Sequence, residues 1–126
     1  MQLEPPPSTV KEFNFIWHKW LNNAYEAVAG AFSYKYASVI TTTYSASIET
    51  VILVNDDTAG GAVTVTLPAA AKSMDKAYYI KKLGTTGNVV IDGNGSETID
   101  GSTTVTISTQ YTSLNIYCNG TAWYIV

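Results

Sequence analysis

The chain has no arginine, one histidine and one cysteine in 126 residues. Each shortage excludes something. The seven lysines are spread from Lys11 to Lys82 and the net charge is −3. No basic face is available to displace the counterions of a phosphate backbone, so nucleic acid is not an expected partner. The lone Cys118 has no internal disulfide partner; flanked by Tyr117 and Asn119 on a predicted strand, it reads as a small buried hydrophobe. One imidazole, His18, and one thiol cannot assemble a histidine-based triad or a structural zinc site. No apolar run reaches the ~18 residues that would span a membrane. The opening Met1-Gln2-Leu3-Glu4-Pro5-Pro6-Pro7 has neither the basic leader nor the apolar core of a signal peptide. The expectation is a soluble protein made in a reducing cytoplasm, with no cofactor, no metal and no membrane insertion.

What the sequence does contain falls into a short arm, a helix-type stretch and a long β-type stretch. Residues 1–8 form the arm. Three consecutive prolines favour an extended polyproline conformation without internal hydrogen bonds, suited to a strap on a neighbouring subunit. Residues 9–30 predict an amphipathic helix. Thr9-Val10-Lys11-Glu12 matches a capping box, and Gly30 supplies a stop. At 100° steps Phe13, Ile16, Trp17, Trp20, Leu21, Ala24, Tyr25, Ala27 and Val28 share one broad half of the wheel. An apolar arc that wide, bearing two indoles, asks for a partner surface. Pro5, Pro6, Pro7, Phe13, Ile16, Trp17, Trp20, Leu21, Ala24, Tyr25 and Val28 are therefore the expected anchoring and oligomer-interface residues.

Residues 31–47 read as a linker, in which Phe32-Ser33-Tyr34-Lys35-Tyr36 is a candidate strand. A β module is expected over 48–126. Its runs include Ile48 to Val54, Val63-Thr64-Val65-Thr66-Leu67, Ala77-Tyr78-Tyr79-Ile80-Lys81-Lys82, Asn88-Val89-Val90-Ile91, Thr103-Thr104-Val105-Thr106-Ile107, Ser113 to Cys118 and Ala122-Trp123-Tyr124-Ile125-Val126. Short strands at intervals of roughly eight to twelve residues, with turn signals between them, indicate a sandwich or barrel. Ile91-Asp92-Gly93 recurs as Ile99-Asp100-Gly101, and two such corners predict a meander. The expected fold is mainly β, an antiparallel, jelly-roll-like sandwich behind the arm and helix. A module this small gains stability by self-association.

No catalytic constellation emerges. Asp92-Gly93-Asn94-Gly95-Ser96-Glu97 lacks the ligand order of an EF-hand and reads as a turn. Asp56-Asp57 reads as a solvated pair in a loop spanning 55–61. The tyrosines are the remaining signal, since each joins an apolar face to a polar tip. Adjacent pairs such as Tyr78-Tyr79 and Trp123-Tyr124 must point to opposite sides of a strand.

The ordered set Val63-Thr64-Val65-Thr66-Leu67-Pro68-Ala69-Ala70, Tyr78-Tyr79-Ile80-Lys81-Lys82, Gly87-Asn88-Val89-Val90-Ile91, Glu97-Thr98-Ile99-Asp100-Gly101 and Asn119-Gly120-Thr121-Ala122-Trp123-Tyr124-Ile125-Val126 resembles a β module that recurs in fibre and decoration proteins of tailed bacteriophages. The resemblance covers about half of the chain. It implies a module that trimerises on the outside of a virion, with no catalytic residues in common. Long receptor-binding fibres carry large distal domains where this sequence ends on the module. The expectation is thus a non-enzymatic head-decoration (cement) or short head-fibre protein, a homotrimer anchored by its N-terminus to other virion proteins of capsid or tail. The alternative is the receptor-binding module of a short tail fibre that reads host surface polysaccharide. Tyr78, Tyr111 and Tyr124 are the candidates for surface recognition.

Overall fold

The computed structural model describes residues 35–126, and the chain divides between Ser33 and Tyr34. The arm, the helix expected over 9–30 and all the anchoring residues named above lie outside the described residues. Within them the fold is mainly β, in two mixed sheets. The strands are β1 (Tyr36–Val39), β2 (Thr43–Ser45), β3 (Val51–Val54), β4 (Val63–Thr66), β5 (Ala77–Lys82), β6 (Val89–Asp92), β7 (Thr104–Ile107), β8 (Ser113–Cys118) and β9 (Trp123–Ile125). One helical turn, α1 (Asp56–Ala59), follows β3, and a 3-10 turn occupies Ala70–Lys72.

From β1 to β6 successive strands alternate between the sheets. The first sheet runs β1-β3-β5-β8-β9 and the second β2-β4-β6-β7. β1, β3 and β5 are mutually parallel, as are β2, β4 and β6. The chain therefore coils, each rung adding one strand to each sheet. Only then does it reverse: β7 pairs antiparallel with β6, β8 with β5 and β9 with β8.

The antiparallel order expected from sequence is corrected here, because it holds only for those last pairs. Parallel neighbours need a long crossover, and the other sheet's strand supplies it in every rung. The expected linker is corrected as well. Residues 36–45 carry β1 and β2, the first strand of each sheet, so the β module begins well before Ile48.

Coiling stacks like on like. In the second sheet Val63, Val89 and Ile107 lie in register, beside Tyr44, Val65, Ile91 and Val105. In the first sheet Ala37, Ile52, Ile80 and Leu114 form one row and Tyr78, Ile116 and Ile125 another. These inward residues form one core, with Ile52, Val63, Ile80, Ile91, Ile116 and Trp123 fully buried. Cys118 is buried too, as its strand position predicts. The side chains of Tyr78 and Trp123 meet there, ring centroids 5.7 Å apart.

The outward residues of the second sheet are polar apart from Val90. One row reads Thr43, Thr64, Val90, Thr106 and the next Ser45, Thr66, Asp92, Thr104. The hydrophobic-in, polar-out alternation fits a sheet solvated on one side.

Of the two Asp-Gly corners, only the second is a tight turn. Asp100 and Gly101 both have positive φ (48° and 85°), and Ile99 and Ser102 exchange backbone hydrogen bonds across them. At the first corner the chain makes a longer excursion from Gly93 to Thr103, held by a Gly93 N–H bond to the Thr103 carbonyl at 2.9 Å. The reversal between β6 and β7 spans that whole excursion, not a two-residue meander turn. The excursion also covers the edge of β9. Trp123 N–H donates to the Thr98 carbonyl and Asp100 N–H to the Trp123 carbonyl, both at 3.0 Å. Covered edges do not recruit stray strands.

Candidate functional site

Three places in the fold gather polar or aromatic groups, and each has a different use. The first is the junction between α1 and the loop after β5. Asn55 caps the turn, its Oδ1 accepting from Thr58 N–H at 3.1 Å. The cap aims the next two carboxylates at residues 84–87. Asp56 Oδ1 accepts from Gly84 N–H at 2.9 Å, and Oδ2 accepts from Gly87 N–H and the Lys82 ammonium, each at 2.8 Å. Lys82 Nζ also donates to the Gly84 carbonyl at 2.6 Å. Asp57 Oδ1 accepts from the N–H groups of Thr85 and Thr86 at 2.8 Å.

The solvated pair expected in this loop is therefore corrected: Asp56 is completely buried and ion-paired. Burial alone would push its carboxyl up. Hydrogen bonds from Gly87 and the Lys82 ammonium overcome that and hold it at about 2. Both Asp56 oxygens and the Lys82 ammonium are engaged within the fold. The junction is a staple between successive rungs.

The second place is an open groove of about 540 Å³ between the segment following β2 and the segment before β5. Ser47, Ile48, Pro68, Lys72, Met74 and Lys76 line it. Ile48 and Met74 stand exposed at its lips. Lys76 Nζ donates to the Ile48 carbonyl at 3.1 Å and lies 4.8 Å from the centre of the Tyr78 ring. Burial lowers its pKa, with the charge of Glu49 acting the other way. Glu49 Oε1 accepts from Tyr44 Oη at 3.0 Å and from Ser47 N–H at 2.9 Å. Burial, then the bond to Glu49, raises the Tyr44 phenol to about 12. Burial likewise raises that of Tyr78, whose hydroxyl donates to the Ser47 carbonyl. Both phenols keep their protons at neutral pH.

The third place is the β7–β8 connection, which displays Tyr111. The ring is 64% exposed, and its backbone has φ 62°. The loop is clamped to the end of β5. Tyr111 N–H donates to the Lys82 carbonyl at 2.8 Å, Lys82 N–H to the Thr112 carbonyl at 3.0 Å and Gln110 Nε2 to the Leu83 carbonyl at 3.0 Å. Lys81 Nζ stands 5.8 Å from the ring centre, within reach of a cation–π contact.

The three candidate tyrosines separate accordingly. Tyr78 has no exposed surface, which corrects its assignment to recognition: in β5 the inward set is Tyr78, Ile80 and Lys82, and Tyr79 takes the outward place. Tyr111 and Tyr124 are exposed. They do not converge. Tyr124 faces outward in register with Tyr117 and Ala77, whereas Lys81, beside Tyr111, lies four residues further along β5, about 13 Å away. Lys81 was not singled out in sequence; its place two residues from Tyr79 on the same face was the available signal.

The segment with a faint calcium-loop character is internally satisfied. The Glu97 carboxylate accepts from Ala70 N–H at 2.9 Å and Glu97 N–H donates to the Asn94 carbonyl at 3.0 Å. Among the described residues no group of three or more His, Cys, Asp or Glu is placed to hold a metal. No family model and no curated protein matches the chain.

Proposed function

We propose that the protein is a non-enzymatic structural protein of a bacteriophage virion, a head-decoration or short head-fibre protein that assembles as a homotrimer. In this reading residues 1–30 attach it to capsid or tail proteins, and the β module projects from the particle surface. One observation carries the reading. The buried ionisable groups at α1 and the end of β5, Asp56 and Lys82, are consumed in locking one rung to the next, and Asp57 adds bonds from the N–H groups of Thr85 and Thr86. A module built that way has rigidity as its product. The phage resemblance over 63–126 and the aromatic content of residues 13–28 supply the setting.

Light scattering of the purified chain tests the assembly. The expected mass is three times 13.6 kDa, and a folded monomer at micromolar concentration refutes the trimer. Removing residues 1–14 is expected to abolish incorporation into particles while the β module keeps its circular dichroism spectrum; normal incorporation refutes the attachment role.

A further inference from the structure

Among the described residues, non-glycine positive φ occurs at Asp75, Asp100 and Tyr111. Aspartate tolerates this region because its short side chain bonds locally. A tyrosine has no such compensation, and its Cβ crowds the following carbonyl. Strain of this kind persists only where the surroundings over-determine it, and it collects at binding sites. Here the surroundings are the three hydrogen bonds that clamp 110–112 to Lys82 and Leu83. What the strain achieves is presentation: an aromatic ring is held away from the core, largely exposed, in a frame that cannot relax around it.

We infer that Tyr111 and Lys81 form a binding platform for an acidic saccharide. A fixed phenol offers a flat apolar face for the C–H side of a pyranose ring, while its hydroxyl and the neighbouring exposed Thr109, Thr112 and Ser113 offer hydrogen bonds at the rim. Tyrosine supplies such a face with few torsions to immobilise, and a clamped loop lowers the ordering cost further. The ammonium of Lys81, 5.8 Å from the ring centre, selects the ligand's charge. It repels a cationic partner and attracts a carboxylate on the sugar. The site goes beyond the virion role and does not depend on the trimer.

Titration calorimetry of the full chain with trigalacturonic acid, sialyllactose and neutral maltotriose tests the platform. The wild type is expected to bind one or both acidic sugars at millimolar or tighter affinity, about tenfold better than maltotriose. Tyr111→Asn places a residue that tolerates the backbone conformation, so its thermal midpoint is expected to stay level or rise while acidic-sugar binding falls about tenfold or more. Lys81→Gln is expected to erase the preference for acid over neutral sugar. Absence of binding to both acidic sugars overturns the proposal, as does unchanged affinity in Tyr111→Asn. A clear fall in that variant's midpoint removes the strain premise and overturns it too. Light scattering on the same samples separates the outcomes: a variant that loses self-association while the wild type binds no sugar reassigns the ring to subunit contact.

Discussion

Replacing Asp56 by asparagine is the most direct test of what holds the rungs together. The carboxylate takes three donors, Gly84 N–H on one oxygen and Gly87 N–H with the Lys82 ammonium on the other. An asparagine amide has one acceptor and one donor end. Whichever way it sits, its NH2 confronts a donor, and the Lys82 ammonium, 1% exposed, loses its counter-charge. Removing one partner of a buried pair costs about 3–5 kcal/mol. The Gly84 carbonyl still accepts from Lys82 at 2.6 Å, so the lower end, about 3 kcal/mol, is expected. A module of this size has about 5–14 kcal/mol of total stability. The loss corresponds to a fall in melting temperature on the order of 10–20 °C. Urea and thermal unfolding followed by far-ultraviolet circular dichroism measure it. Lys82→Met should cost less, because the carboxylate keeps two N–H donors. The double variant should cost less than the sum, as residues in one network are not additive. If Asp56→Asn costs under about 1 kcal/mol, as an exposed pair would, the staple is not what fixes the rungs.

The same group sets an acid limit. Its folded pKa of about 2 lies below the ordinary 3.8, so the unfolded chain takes the proton first. The contribution is full above about pH 5 and is lost as pH falls through 2; it amounts to about 2 kcal/mol. Urea midpoints of the wild type measured from pH 5 to pH 2 should fall more steeply than those of Asp56→Asn, and parallel curves contradict the assignment. Gly87→Ala should destabilise by about 1–3 kcal/mol, since a Cβ there would sit 2.3 Å from Ala62 N and 2.5 Å from the Gly61 carbonyl carbon. Wild-type urea stability in that variant would show that the loop does not sit against residues 61 and 62.

Why was the staple invisible in sequence? Asp56 and Lys82 are separated by 26 positions, and local patterning presents the first as a loop acid and the second as the polar end of a strand. In β5 the two alternating sets are Ala77, Tyr79, Lys81 and Tyr78, Ile80, Lys82, each with one tyrosine and one lysine. Only Ile80 distinguishes them, and the second set faces inward because Asp56 arrives to neutralise Lys82. Without that fact the alternation places Tyr78 on either face. The positive φ that makes Tyr111 notable depends on contacts to Lys82 and Leu83.

The sequence by itself determined where the strands from β3 onward form. Valine, isoleucine, threonine and tyrosine runs suit a half-buried pleated surface, and glycine and asparagine interrupt them, so β5 and β8 span the residues that the pattern indicates. It also determined that Cys118 and one member of each Tyr or Trp pair go inward, because side chains alternate. Tertiary structure alone decided which strands are neighbours. A short strand with the same alternation serves a parallel or an antiparallel ladder equally well, and pairing depends on the path of the connections. Here each connection between parallel neighbours passes through the opposite sheet, so the chain returns to β3 and β5 in the direction it left β1. The coil, the buried ion pair and the clamped loop under Tyr111 all follow from that return.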